Sequence, residues 1–333
     1  MRFGPVPLKD AEGAILAHSL QGASRKVAKG TVLRADDLQD LAAAGHTDLT
    51  VARLDPADIH EDAAAAALAN ALVPDPSAQG IRVSGAGTGR VNLYAAGAGL
   101  VRLDRTRLEA VNAADPMITV ATVPDYHRAD ADGMLATIKI ISYGVAADAI
   151  RRASEGAGDA IRVLPPVFSS ATLIETQVTE ETPPDKGRAA MAGRLHRMGI
   201  PLSPRVVVPH QEDALAGAIT NAPGQLVLVL TGSATSDTHD VAPEALRKAG
   251  GSVTRFGMPV DPGNLLFLGS FQDRPVIGLP GCARSPALNG ADWVLERVIC
   301  GLPVTAADIA AMGVGGLLKE IPTRPMPRRD AEG

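Results

Sequence analysis

At 333 residues the chain has room for roughly two or three domains, and a hydrophobic content of 46% is enough to build cores for them. Its 32 basic and 37 acidic residues are interspersed and leave a net charge of -5, which gives no electrostatic reason to bind nucleic acid; no apolar run approaches the roughly 18 residues of a membrane span. Only two cysteines, Cys282 and Cys300, exclude a disulfide framework or a cysteine-based zinc site, and with no apolar leader in the first ten residues the expectation is a cytoplasmic protein.

In chain order, residues 1–75 read as a mixed α+β region. Short strand-like runs precede a helix over 35–44, where Leu38 and Leu41 share a face and Gly45 closes the end. Residues 47–54 alternate like a strand, and 58–72 form an alanine-rich helix stopped by Pro74 and Pro76. The segment 76–165 is rich in strand patterns, at 81–84, 90–94, 100–103, 117–123 and 134–143, with a helix at 146–153. Gly85, Gly87 and Gly89 invite comparison with a dinucleotide loop, but the third glycine is misplaced and a strand follows, so a hairpin is the expectation. Lys139 is expected to point outward or into a ligand groove.

After Pro165 and Pro166, residues 166–302 alternate regularly: strand 171–178, helix 188–198, strand 205–208, helix 211–220, strand 226–230, helix 240–249 and strand 252–256. A hairpin follows with arms at 265–269 and 275–279, then a helix over 287–299 that carries Trp293. Such alternation with short turns predicts a mostly parallel sheet with helices on both faces, a three-layer α/β/α domain. Residues 303–333 hold a short helix over 306–312, started by Thr305 and Asp308, and a basic, proline-rich tail at 324–329 that reads as a linker or frayed end.

Three loops in the α/β segment share a character: 231–240, 257–264 and 280–285. Each bears glycine, and the first and third each join an apolar strand to a helix. In a parallel sheet such loops gather at the carboxyl edge, where exposed N–H groups and a helix N-terminus suit an anion. The candidate ligand-binding residues are therefore Thr231, Gly232, Ser233, Ala234, Thr235 and Ser236 in the first loop, Pro262, Gly263 and Asn264 in the second, and Pro280, Gly281, Cys282, Arg284 and Ser285 in the third. Asp240 is either a helix N-cap or the carboxylate of a catalytic centre, and Asp237 is a candidate to share a magnesium with it. Cys282 is read either as a packing residue or as an activated thiolate, and His239 either as a surface histidine or as a base. The seven histidines show no metal-ligand spacing, so a metal held by protein imidazoles is not expected.

Taken in order, LTGSATSDTHD (230–240), FGMPVDPGN (256–264) and GLPGCARSP (278–286) resemble three motifs of the molybdopterin-binding family, which includes the molybdopterin adenylyltransferases and molybdenumtransferases. The family's loops have the forms SGGxSxGxxD, KPG and GLPGNP, and the resemblance covers about residues 168–300. Residues 30–54 are similar to the segment that precedes this domain in the transferases. The whole chain resembles the N-terminal region of bacterial proteins in which it is fused to a cytidylyltransferase-like domain. The resemblance implies the molybdopterin-binding fold, with molybdopterin or molybdenum cofactor as ligand and a role in cofactor biosynthesis or handling, including molybdate or nucleotidyl transfer. It also implies a magnesium ion, a cytidylyltransferase or molybdoenzyme as partner, and Asp240 near the chemistry; a homo-oligomer is expected. The alternative is a non-catalytic carrier that delivers the pterin. Four departures favour the carrier: Asp261 replaces the lysine of KPG, Gly281-Cys282-Ala283 replaces GNP, residues 175–178 read ETQV where a TGDE-like turn is usual, and His210-Gln211 replaces an acidic pair.

Overall fold

The structure, a computed structural model, describes residues 1–318, and the chain gathers into two units. The first comprises Met1–Gly97 and Val101–Leu164, the second Ala98–Leu100 and the chain from Pro165 onward. No helix among the described residues is long and apolar enough to cross a membrane.

The first unit is mixed α+β and rich in strands. Arg2–Pro7 and Ile15–Leu16 flank Asp48–Arg53 in an antiparallel sheet. The helix Ala35–Ala43 buries Leu41 together with Leu16, Leu33, Leu49 and Val51. Its early Asp37 is almost fully buried: one oxygen accepts the Arg34 N–H at 2.9 Å and the other pairs with Arg25 at 2.6 Å. A cap and an ion pair thus share one carboxylate.

A second antiparallel sheet runs in the order Ile118–Thr122, Met134–Ile140, Arg90–Ala95, Ile81–Val83. The alanines of the helix Glu61–Leu72 let it lie close against this sheet, with Leu68 and Leu72 sealed among Leu93 and Ile138. The glycine run makes the expected hairpin. Thr88 and Gly89 have φ of 51° and 68°, the two left-handed residues of a type I′ turn, and Gly87 and Arg90 exchange backbone bonds of 3.1 Å. Lys139 turns inward to that hairpin: it donates to Thr88 O at 2.6 Å and pairs with the buried Glu61 at 3.3 Å, so the expectation of an outward or groove-lining lysine is corrected. The helix Arg105–Ala113 was not legible in the sequence, because only Leu108 and Val111 give it an apolar face.

In the second unit the elements are β1 (Ala171–Gln177), α1 (Asp185–His196), β2 (Val206–Pro209), α2 (Glu212–Asn221), β3 (Leu226–Leu230), α3 (Val241–Lys248), β4 (Ser252–Phe256), β5 (Phe267–Phe271), β6 (Arg274–Leu279), α4 (Gly290–Ile299) and α5 (Ala306–Ala311). They build one six-stranded sheet in the order β2-β1-β3-β6-β5-β4. β1 pairs in parallel with β2 and β3, and β3 with β6; β5 runs against both β6 and β4. All five residues of β3 are buried, as its unbroken LVLVL requires of a central parallel strand.

Val227, Val229 and Ile174 face α2 and α3, where Leu215, Ile219, Ala245 and Leu246 complete a core. Alternate residues face the other way, toward α1 and α4, whose Met191, Leu195, Val294 and Leu295 are also buried. The domain is therefore a three-layer α/β/α sandwich with a mostly parallel sheet. The helix expected over 287–299 starts three residues later: Asn289 caps it, receiving the Ala291 N–H at 3.0 Å and donating its own N–H to Asp292 at 2.8 Å. Thr305 and Asp308 start α5 by the expected reciprocal capping. The basic tail at 324–329 lies outside the described residues.

Candidate functional site

Because β1, β2, β3, β6 and β4 point the same way, their ends at Gln177, Pro209, Leu230, Leu279 and Phe256 share one edge of the sheet. The three glycine-bearing loops leave from that edge.

The first loop is drawn tightly over the end of β1. Gly232 donates its N–H to the buried Thr176 Oγ1 at 2.8 Å, and a Cβ at Gly232 would sit 2.6 Å from Thr176 O, so no other residue fits without a shift. Thr231 and Thr235 are buried with their hydroxyls 3.4 Å apart, while Ser233, Ala234 and Ser236 are exposed. No acceptor among the described residues faces the N–H groups of Ser233, Ala234 and Thr235. Three successive N–H groups without a protein acceptor, in a loop that leads to a helix N-terminus, are donors open to an anion.

Asp240 closes this loop at the start of α3. Its Oδ1 accepts the Val241 N–H at 2.7 Å and its Oδ2 the Ser236 N–H at 2.9 Å. The Ser236 bond, then the Val241 bond and the neighbouring His210, hold the carboxyl below the usual range against the opposing effect of burial. Asp237 is exposed and turned to its own loop, with Oδ1 accepting the His239 N–H at 2.8 Å and its carbonyl the Asp240 N–H at 3.1 Å. His239 is on the surface, bonded to Glu244 at 2.7 Å.

The second loop braces α4. Pro262 O accepts the Gly290 N–H at 2.8 Å, and a Cβ on Gly263 would lie 2.7 Å from Gly290 N. Pro262 follows a cis peptide bond. Asp261, at the lysine position of the family motif, is exposed and pinned through its backbone to Gly316 and Leu318, and Asn264 accepts the Met258 N–H at 3.0 Å through its carbonyl.

The third loop opens with a 3-10 turn, Gly281–Arg284, in which Pro280 O accepts the Ala283 N–H at 2.9 Å. Arg284 reaches across to Thr231 O and so ties the third loop to the first. The Ser285 hydroxyl receives the Ala287 N–H at 3.3 Å. Burial raises the Cys282 thiol above its ordinary value, which opposes an activated thiolate.

Sequence reasoning missed the roles of Arg194, Glu175, Arg205 and Thr176, which organise this edge. Arg194 of α1 donates to Ala283 O at 3.0 Å, Ser285 O at 2.8 Å and Ala287 O at 2.9 Å, and pairs with Asp292. Nothing in the sequence pattern of α1 separates it from the other basic residues of the helix. Glu175, 2% exposed, receives Arg205 bidentately at 2.8 and 3.1 Å. Thr176 bonds Gly232 on one side and His210 Nδ1 on the other, at 2.8 Å each. The ETQV and His-Gln departures from the family motifs were the signal for this corner. Beside it lies an open groove of about 410 Å³ lined by Gln177, Val178, Thr179, Glu180, Pro209, His210 and Gln211.

The carboxylates fit a resident magnesium poorly. Three of the four oxygens of Asp237 and Asp240 already accept backbone N–H groups, and no three His, Cys, Asp or Glu side chains gather for a metal among the described residues.

Residues 170–299 match the family described as a probable molybdopterin binding domain, and residues 5–53 a domain of unknown function. No curated protein compared with the chain matches it. Among solved structures, the molybdopterin biosynthesis moea protein from Pyrococcus horikosii is similar at 13% identity and a TM-score of 0.32, over 90% of this chain and 75% of that one. Molybdenum cofactor biosynthesis protein B is similar at 14% identity and a TM-score of 0.30, over 41% of this chain and 96% of that one.

Proposed function

We propose that the C-terminal unit binds molybdopterin or the molybdenum cofactor, and that the protein acts in the biosynthesis or handling of that cofactor. The observation that carries this reading is the run of unpaired N–H groups at Ser233, Ala234 and Thr235, at the carboxyl edge of a domain that matches a probable molybdopterin binding family. The ligand's phosphate would accept these donors and the Ser233 hydroxyl, with the N-terminus of α3 adding a partial positive charge. Asp240 does not oppose such an anion strongly, since both its oxygens are turned to N–H donors of its own loop.

Between transfer and carriage, the site favours carriage. Arg194, Arg205 and Arg284 are committed to acceptors of the chain itself, and Asp261 stands where a lysine would meet a phosphate, so few cations are left to stabilise charge developing in a phosphoryl or molybdate transfer. A cytidylyltransferase or a molybdoenzyme would receive the pterin. Under the transfer reading, Asp240 would be the carboxylate nearest the reacting group.

Incubation with molybdopterin, ATP, magnesium and molybdate separates the two. Tight pterin binding with no adenylated or metal-loaded product is expected, and turnover would establish transfer. Ala234→Pro removes one donor from the loop and should weaken binding by about tenfold or more, the value of one hydrogen bond to a charged group. Unchanged affinity in that variant, or no molybdopterin binding by the wild type, would overturn the phosphate seat.

A further inference from the structure

We propose that the groove at the ends of β1 and β2 is the seat of the ligand's heterocyclic ring, recognised along its hydrogen-bonding edge by Gln177, His210 and Gln211. This rests on the reading of the neighbouring loop as a phosphate seat and names what binds beside it. The chemical class is a planar ring with an amide-like edge of alternating donors and acceptors, as in a pterin.

Position is the first argument. Gly232, at the start of the phosphate-seating loop, and the His210 ring are separated only by Thr176 Oγ1, through two bonds of 2.8 Å. A ligand whose phosphate lies on residues 233–236 therefore has the groove within the reach of a small molecule. The groove's size of about 410 Å³ falls within the range of small-molecule sites.

The chemistry of the lining is the second. The side-chain amides of Gln177 and Gln211 have no hydrogen-bond partner among the described residues, although the Gln177 carbonyl accepts the His210 N–H at 2.8 Å and so fixes the two strand ends against each other. Each amide offers a donor and an acceptor side by side, the complement of an N–H/C=O ring edge. Val178, 62% exposed, and Pro209 give apolar surface against which a ring can lie.

Thr176 sets the third polar group. Its oxygen accepts the Gly232 N–H and lies 2.8 Å from His210 Nδ1, so the hydroxyl and the ring share a hydrogen bond whose direction follows the imidazole tautomer. With Nδ1 turned to that hydroxyl, Nε2 is the ring nitrogen left to meet a ligand in the groove. The same hydroxyl ties the ring seat to the phosphate seat, so a ligand that fills one orders a residue of the other.

The test uses the full chain and two probes. The first is 6-hydroxymethylpterin, which has the ring and no phosphate, followed by quenching of its fluorescence; the second is molybdopterin. The double variant Gln177→Ala/Gln211→Ala should weaken the free pterin by tenfold or more and molybdopterin comparably. Ala234→Pro should weaken molybdopterin while leaving the free pterin unchanged. His210→Ala should lose affinity for both probes, and Thr176→Val should lose part of the same affinity by releasing the ring orientation. Because Gln177 and Gln211 are surface side chains, the double variant is expected to keep the wild-type melting temperature, so a loss of binding in it cannot come from misfolding. If molybdopterin binds the wild type and the double variant equally, the ring seat is wrong and the phosphate seat stands. If it binds neither, both fall.

Discussion

Thr176 and Asp240 are single side chains on which the shape of the carboxyl edge depends, and they act by the same device, an oxygen facing backbone N–H groups across a loop. For Asp240 the consequence can be measured. Its carboxyl titrates below the ordinary value in the folded chain, so its contribution to stability is complete above the unfolded carboxylate range and is lost as pH falls through the lower, folded value. Asp240→Asn keeps one oxygen for the Val241 N–H but loses the charged acceptor of the Ser236 N–H, and should cost about 1 kcal/mol at pH 7 and progressively less toward pH 3. Urea denaturation at both pH values checks this, and an equal loss at the two would show that charge is not what matters. The sequence singled out Asp240 because it follows a strand, a loop and a gap of fixed length. It could not single out Thr176, a hydroxyl in the buried part of a strand whose two partners come from the next two strand ends, at 210 and 232.

At the scale of the element, the strand β3 was readable to the residue, since five consecutive apolar residues bounded by polar ones leave little choice. The loop after β6 was not. A continuous helix from 287 was the reading, but Pro286 and the capping preference of Asn289 delay α4 to Gly290, and the residues before it are shaped by a helix nearly a hundred positions earlier. Arg194 holds three carbonyls of that loop and the Asp292 carboxylate, with 11% and 9% of the two side chains exposed. Arg194→Ala would leave a buried carboxylate and three carbonyls without their donor, at a cost of about 3 kcal/mol or more. Arg194→Lys should recover less than half of that, because one ammonium cannot span four acceptors. The check is chemical denaturation of the variants, with hydrogen exchange at 281–289 expected to rise in both; a loss under 1 kcal/mol for the alanine would remove Arg194 from this role.

For the whole molecule, the two units carry separate cores: one built on Leu68, Leu93 and Ile138, the other on Val227, Val229 and Leu246. A core that closes within its own unit predicts independent folding. A fragment beginning at Pro165, which lacks only Ala98–Leu100 of the second unit, should therefore unfold cooperatively and bind molybdopterin like the full chain, measured by calorimetry. A fragment without a cooperative transition would mean that the sheet needs the first unit to stand.

The alternation of apolar strands with amphipathic helices determined by itself the α/β/α layering, the order of elements from 171 to 299 and the three glycine-bearing loops, because period and turn chemistry are local properties of the chain. Glycine supplied the clearest of these signals, and at Gly232 the reason is steric: Thr176 O occupies the space of a side chain. The strand order was not local, nor was the meeting of residues 176, 210 and 232, or the use of Arg194, Arg205 and Arg284 to tie loops and strand ends together. Those depend on which strands become neighbours. Only the folded sheet decides that, since a hydrogen bond between residues 56 apart in sequence leaves no mark on the period of either strand.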